Sequence, residues 1–247
     1  MGTVERADRT LGLRLLLALA ATLGLGLPFL LLALLVRASW DPLIRLDQAV
    51  ADRLHAVALR NDWLVQTLEG ISVVIGPWVL RPVVTLVALW LLVRQRRFRL
   101  GGWVLVTLWG GALLGVVLKE AVDRTRPDLV DAVATAPGFS FPSGHALGGT
   151  VACGLLVLVL GPLLSPRWRA VAWVAAVLAV LAVCFARVGL GVHYLTDVTA
   201  GVVLGVAWLA VTSAVFEWWR RDVGLPPAPA TETEPELEQG VPEPRAG

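Results

Sequence analysis

The sequence predicts an all-α, polytopic membrane protein with about six transmembrane helices, and three observations carry that prediction. Apolar residues fill 57% of its 247 positions and charged residues 16%, with a mean hydropathy of +0.74, well outside the composition of soluble domains. Apolar runs long enough to cross a bilayer recur along the chain. Basic clusters that contain no acidic residue follow the second, fourth and sixth of these runs, and arginines precede the first. A soluble cytosolic enzyme is excluded. The formal net charge of +2, from 21 Lys and Arg against 19 Asp and Glu, leaves no footprint for nucleic acid.

The elements follow in order. Arg6, Arg9 and Arg14 precede the first run, 11–36, which is longer than the ~7–15-residue core of a signal peptide and reads as a retained first span. Residues 43–60 carry Leu43, Leu46, Val50, Leu54 and Val57 at near-helical spacing, with Arg45, Asp52 and Arg53 between them. That is the pattern of an amphipathic helix lying in the membrane interface. Gly76-Pro77 interrupts the next apolar run, so the second span begins near Pro77 and runs to 93. Arg81 then falls in its outer part, and its side chain is expected to snorkel to the interface. The remaining spans are 100–118, 146–164, 170–186 and 194–216. Gly111 with Gly115, and Gly201 with Gly205, have the small-xxx-small spacing of helix packing seams. The domain ends near 221, and the Pro- and Glu-rich stretch 222–247 has too little apolar surface to fold and reads as a disordered tail.

The basic clusters set an orientation. ArgGlnArgArgPheArg (94–99), SerProArgTrpArg (165–169), Arg220-Arg221 and the N-terminus face the cytoplasm by the positive-inside rule. The tail and both termini are then cytoplasmic, and 37–76, 119–145 and 187–193 lie on the extracytoplasmic side of the cell membrane. Cys153 and Cys184 sit in apolar runs without CxxC spacing, which indicates buried free thiols and neither a disulfide nor a zinc site. There is no P-loop, no dinucleotide-binding fingerprint and no internal repeat, so an ATP-driven pump or an inverted-repeat carrier has no support.

Reactive side chains collect in three segments: Lys119 to Arg126-Pro127, Phe141-Pro142-Ser143-Gly144-His145, and Arg187 to His193 to Asp197. The charge-based orientation places all three on one face. Lys119, Arg126 and Arg187 suit the oxygens of a phosphate. Pro142-Ser143-Gly144 opens a helix with a capping hydroxyl and bare backbone N–H groups, an anion cradle. His193 and Asp197, four apart, are expected on one helical face, where the carboxylate orients the imidazole and leaves its other nitrogen free to attack. His145 remains as a second group able to protonate a departing oxygen. His55 is read as structural, and Glu120, Asp123 and Arg124 as a solvated helix end.

At these residues the chain resembles the type 2 phosphatidic acid phosphatase (PAP2) superfamily, whose signature is Lys-x6-Arg-Pro, Pro-Ser-Gly-His and Ser-Arg-x5-His-x3-Asp. The one departure is Ala186, where the family has Ser before the arginine. The resemblance implies a PAP2/acid-phosphatase-like helical core and a metal-independent phosphatase that needs no cofactor. In it His193 would be the nucleophile, Asp197 its orienter and His145 the acid, with Lys119, Arg126, Arg187, Ser143 and Gly144 holding the phosphoryl oxygens through a phosphohistidine intermediate. Its substrate would be a membrane lipid phosphate such as undecaprenyl diphosphate, phosphatidic acid or phosphatidylglycerol phosphate, the polyprenyl diphosphate placed first. A lipid phosphotransferase and a non-catalytic phospholipid carrier are the alternatives. A Cys-based phosphatase is excluded, because neither cysteine is followed by Arg at the sixth position that a Cys-x5-Arg loop needs.

Overall fold

The computed structural model describes residue 24 and residues 26–222. The basic N-terminus, the start of the first span and the 223–247 part of the tail lie outside the described residues. Every described element is helical: α1 (Gly26–Arg37), α2 (Asp41–Ala58), α3 (Asp62–Val74), α4 (Pro77–Val93), α5 (Phe98–Val122), α6 (Gly144–Leu160), α7 (Pro166–Gly189) and α8 (Leu195–Asp222). A short 3-10 turn, Gly161–Leu163, follows α6.

Five segments, 62–93, 98–122, 144–163, 166–189 and 195–220, are each long and apolar enough to cross a bilayer. The bent pair α1 and α2 passes the same test together, with an 88° turn between them. That turn lets α2 run across the end of the bundle, as its amphipathic pattern requires. Only α3 was not foreseen. Leu64, Leu68 and Ile71 give it a helical apolar stripe, and Leu68, 2% exposed, packs with Ala186 and Leu190 at the end of α7. The break before α4 falls at Gly76-Pro77, where the sequence placed it.

α6 is the central helix. It packs against α4, α5, α7 and α8, and Leu147, Val151 and Leu155 join Val84, Ala88 and Leu91 of α4 in the main core. Both glycine seams are packing seams. A Cβ on Gly201 would lie 2.7 Å from the Ser143 carbonyl oxygen, and one on Gly205 would lie 2.7 Å from Thr150 Cβ. Gly111 and Gly115 make room in the same way for Trp208 and Leu147. At the opposite end of the bundle from the start of α6, Arg99 lies over the Trp219 ring at 4.5 Å and Arg220 over Phe216 at 5.7 Å. Two of the basic clusters therefore gather at one end, away from the three reactive segments. Cys153 and Cys184 are free thiols.

The Gly201 contact is with backbone, which cannot swing aside. Gly201→Ala should therefore destabilise the protein by about 1–3 kcal/mol. Gly102→Ala, where nothing lies within 4 Å of the new methyl, should be neutral or stabilising by up to about 1 kcal/mol. Thermal unfolding in detergent separates the two, and equal melting points would refute the seam.

Candidate active site

The structure brings the three reactive segments together around His193. That residue lies in the turn between α7 and α8, 2% exposed, two residues before α8 begins. The expectation that His193 and Asp197 share one helical face is thus corrected: they meet across the start of α8. Asp197, in the first turn and fully buried, reaches back so that Oδ2 accepts the Tyr194 N–H at 2.9 Å and lies 3.4 Å from His193 Nδ1. A carboxylate at a helix N-terminus is favoured by the exposed N–H groups there.

Arg126 Nη1 lies 3.2 Å from His193 Nε2. A guanidinium can only donate, so Nε2 is the acceptor and the ring proton sits on Nδ1, facing Asp197. Burial pushes the His193 imidazole down from 6.5 to about 4, with Asp197 pulling the other way. Near neutral pH the ring is therefore uncharged, with an available lone pair on Nε2.

The rest of the site is built from helix ends. Ser143 caps α6, with its Oγ accepting the Ala146 N–H at 3.5 Å, and its own N–H donates to the Asp197 carbonyl oxygen at 3.0 Å. The cradle and the start of α8 are thereby locked together, with Gly144 as the first residue of α6. Arg187, 9% exposed near the end of α7, has a buried Nε with no hydrogen-bond partner among the described residues. Lys119, in the last turn of α5, donates to the Phe139 carbonyl oxygen and is within electrostatic reach of Arg126, Arg187 and Asp197. Besides His193 Nε2, Arg126 donates to four backbone carbonyls: Gly138 and Pro137 at 2.9 Å, Phe139 at 3.2 Å and Val192 at 2.6 Å. His145, in the first turn of α6, lies beside the α3–α4 break, where a Cβ on Gly76 would be 3.4 Å from its Nε2. All eight residues singled out from the sequence thus converge. His55 donates to or accepts nothing in this cluster; its Nε2 holds the Val130 carbonyl at 2.7 Å, a structural tie to the loop. Among the described residues no group of three or more His, Cys, Asp or Glu is placed to hold a metal ion.

The solvated-end reading of Arg124 is corrected. Its side chain is 9% exposed and bridges two fully buried carboxylates, at 2.6 Å to Asp197 and 2.7 Å to Asp47. It also donates to Thr196 Oγ1 at 2.7 Å, and lies 4.1 Å from the Tyr194 ring centroid. Asp47, on α2, accepts the Thr196 N–H at 3.0 Å and the Thr196 hydroxyl. Glu120 and Asp123 are exposed, as expected. In the sequence only the position of Asp47 among the apolar residues of α2 hinted at burial.

The sequence model of the PAP2 superfamily matches residues 100–221. Phosphatidylglycerophosphatase B of Bacillus subtilis is 33% identical over 164 residues, 65% of this chain and 78% of the relative. The chain belongs to the PAP2 superfamily. Undecaprenyl-diphosphatase of Sulfolobus acidocaldarius is 29% identical over 195 residues, 76% of this chain and 89% of that protein. The crystal structure of the transmembrane PAP2-type phosphatidylglycerolphosphate phosphatase from Bacillus subtilis superposes with a TM-score of 0.71 at 28% identity, covering 82% of this chain and 98% of that one. These relatives of the PAP2 protein are membrane lipid phosphatases by name.

Removing Arg124 would leave Asp47 and Asp197 buried without the countercharge they share. Arg124→Ala should cost about 3–5 kcal/mol, while Glu120→Ala on the exposed end of α5 should stay within about 0.5 kcal/mol. Unfolding in detergent reads both, and an Arg124→Ala protein as stable as wild type would refute the bridge.

Proposed function

We propose that this PAP2 protein is an integral membrane phosphatase that hydrolyses a lipid phosphomonoester or diphosphate through a phosphohistidine, without a metal ion. The observation that carries the proposal is the setting of His193. Its Nε2 lone pair is aimed at the guanidinium of Arg126, its Nδ1–H is held toward Asp197, and the buried Arg187 Nε beside it is unpartnered. This is a nucleophile inside a cationic pocket built for an anion.

The first step forms the Nε2–P bond and breaks the P–O bond to the leaving group, whose oxygen keeps the electron pair and takes a proton from His145. Lys119, Arg126, Arg187 and the backbone N–H groups at Ser143 and Gly144 would hold the remaining phosphoryl oxygens as their charge shifts. In the second step His145 takes a proton from water, the water oxygen bonds to phosphorus, and the N–P bond breaks. Inorganic phosphate leaves and Nε2 regains its lone pair. Asp197 stabilises the ring while it carries positive charge and stays ionised throughout.

Two further features support a lipid substrate. An apolar cavity of about 390 Å³ lies between α6, α7 and α8, lined by Thr150, Cys153, Gly154, Trp173, Val177 and Val206 among others. Its upper end, Thr150, is seven residues below Ser143 on α6, roughly 10 Å along the axis, within reach of an acyl or prenyl chain. The relatives named above carry lipid-borne phosphate in their names, and a polyprenyl diphosphate remains first in order. The positive-inside pattern supports a site on the extracytoplasmic face of the plasma membrane, with both termini inside.

His193→Ala should lower phosphate release by at least about a thousandfold while the melting profile persists, and wild type quenched during turnover should carry an acid-labile phosphoryl group on His193. Turnover that survives the substitution, or that vanishes with a chelator, would refute the mechanism. Because burial holds His193 near 4, it stays unprotonated as pH falls through the ordinary imidazole range of ~6.5. The acid limb of kcat/KM belonging to this group should then lie near pH 4. A variant-sensitive limb at 6.5 or above would contradict the assignment.

A further inference from the structure

Arg81 is a cation near the site that lies outside the three motif segments, and its surroundings do not fit an interfacial anchor. Positions 81, 84, 88 and 91 recur at helical spacing, and Val84, Ala88 and Leu91 are 1%, 0% and 0% exposed, in the core shared with α6. Arg81 therefore continues the buried stripe of α4 by one turn toward Pro77. α4 begins where α6 begins, since Gly76 abuts the His145 ring. A helical side chain leans toward its own N-terminus, so the Arg81 stem points to the end of α4 where His145 sits. The residue is half-buried, and no hydrogen bond or ion pair of its guanidinium is found among the described residues. An unpaired guanidinium on the inward face of a membrane helix is costly unless it has a ligand.

Its position relative to the two histidines identifies that ligand. Arg81 lies on the His145 side, because its stem points to the end of α4 that Gly76 holds against the His145 ring, and it is within electrostatic reach of that ring. His193 marks the side from which phosphorus is attacked, and His145 the side on which the leaving group departs. A cation on the leaving side has work to do only if the leaving group carries its own negative charge.

We propose that Arg81 binds the inner phosphate of a lipid diphosphate and makes the site selective for diphosphates over monoesters. The assignment rests on the phosphatase reading given above. In a diphosphate the Nε2–P bond forms at the terminal phosphorus and the bond from that phosphorus to the bridging oxygen breaks. The electron pair leaves on a lipid monophosphate, whose added charge falls beside Arg81. A monoester leaves as an alcohol, with its proton from His145 and no phosphate for Arg81 to hold.

The test compares farnesyl diphosphate with farnesyl monophosphate, which share one tail, using the full chain in detergent. Arg81→Ala should lower kcat/KM for the diphosphate by about tenfold to a hundredfold, the range of a hydrogen bond to a charged group, and change the monophosphate by less than about threefold. Arg81→Lys should recover part of the loss. The ratio of the two substrates does not depend on the folded fraction, so a poorly folding variant still reports. An equal effect on both substrates, as an interfacial anchor would produce, overturns the proposal. So does a wild type that prefers the monophosphate. Wild-type protein that hydrolyses neither overturns the phosphatase reading as well.

Discussion

The geometry of the site depends on one guanidinium held between two buried carboxylates. Arg124 spans from Asp47 on α2 to Asp197 on α8, and neither carboxylate has any exposed surface. Buried carboxylates are tolerated only when paired and hydrogen-bonded, so the three residues stand or fall together. Arg124 takes Oδ1 of Asp197 and leaves Oδ2 for Tyr194 N–H and His193 Nδ1. The orientation of the His193 ring is thus inherited from Arg124, and through Asp47 from the place of α2 across the end of the bundle. A helix outside the three reactive segments is in this way part of the geometry around His193.

The second constraint is closeness between α6 and α8. Asp197 serves the site twice: its side chain faces His193 and its carbonyl accepts the Ser143 N–H. Both contacts need α8 to lie within backbone distance of the start of α6, and Gly201 and Gly205 permit that approach. In a bilayer, where lipid tails offer no hydrophobic reason for helices to associate, small residues that admit backbone contact decide which helices pair. The seam therefore sets the distance between the start of α6 and His193.

Much of this was legible in the sequence because membrane spans are read from hydropathy alone, and five of them appear where the apolar runs lie. The three motifs were legible as chemistry, since phosphate needs cations and a helix start whatever the fold. What escaped were features decided by partners distant in sequence. Arg124 looks like part of a solvated end beside Glu120 and Asp123, because its carboxylates are 77 and 73 residues away. The His193–Asp197 spacing matches a helical face, yet the chain turns at Gly191, whose φ of +69° lies where glycine is favoured, and α8 starts only after His193. α3 was missed because the break at Gly76-Pro77 was taken as the start of the span, which left 62–76 outside the membrane, whereas α3 continues into α4 as one segment, 62–93, long and apolar enough to cross a bilayer. Arg81 could have been placed inward by extending the 84, 88, 91 period one turn back.

The pairing of charges keeps the site's cations largely uncancelled. Asp197 is paired with Arg124 and faces His193, and acts on Lys119 and Arg126 only at longer range. Arg126 is held instead by four backbone carbonyls, whose dipoles orient the guanidinium without cancelling its charge. A carboxylate in their place would pair with Arg126 bidentately and compete with the substrate for the same fork. Carbonyls leave the charge intact, although all five N–H groups of Arg126 already have acceptors, four carbonyls and His193 Nε2, so an anion must displace one of them to be bound. Positioning cations by the main chain, and reserving carboxylates for Arg124 and His193, keeps an uncancelled positive charge beside a neutral imidazole.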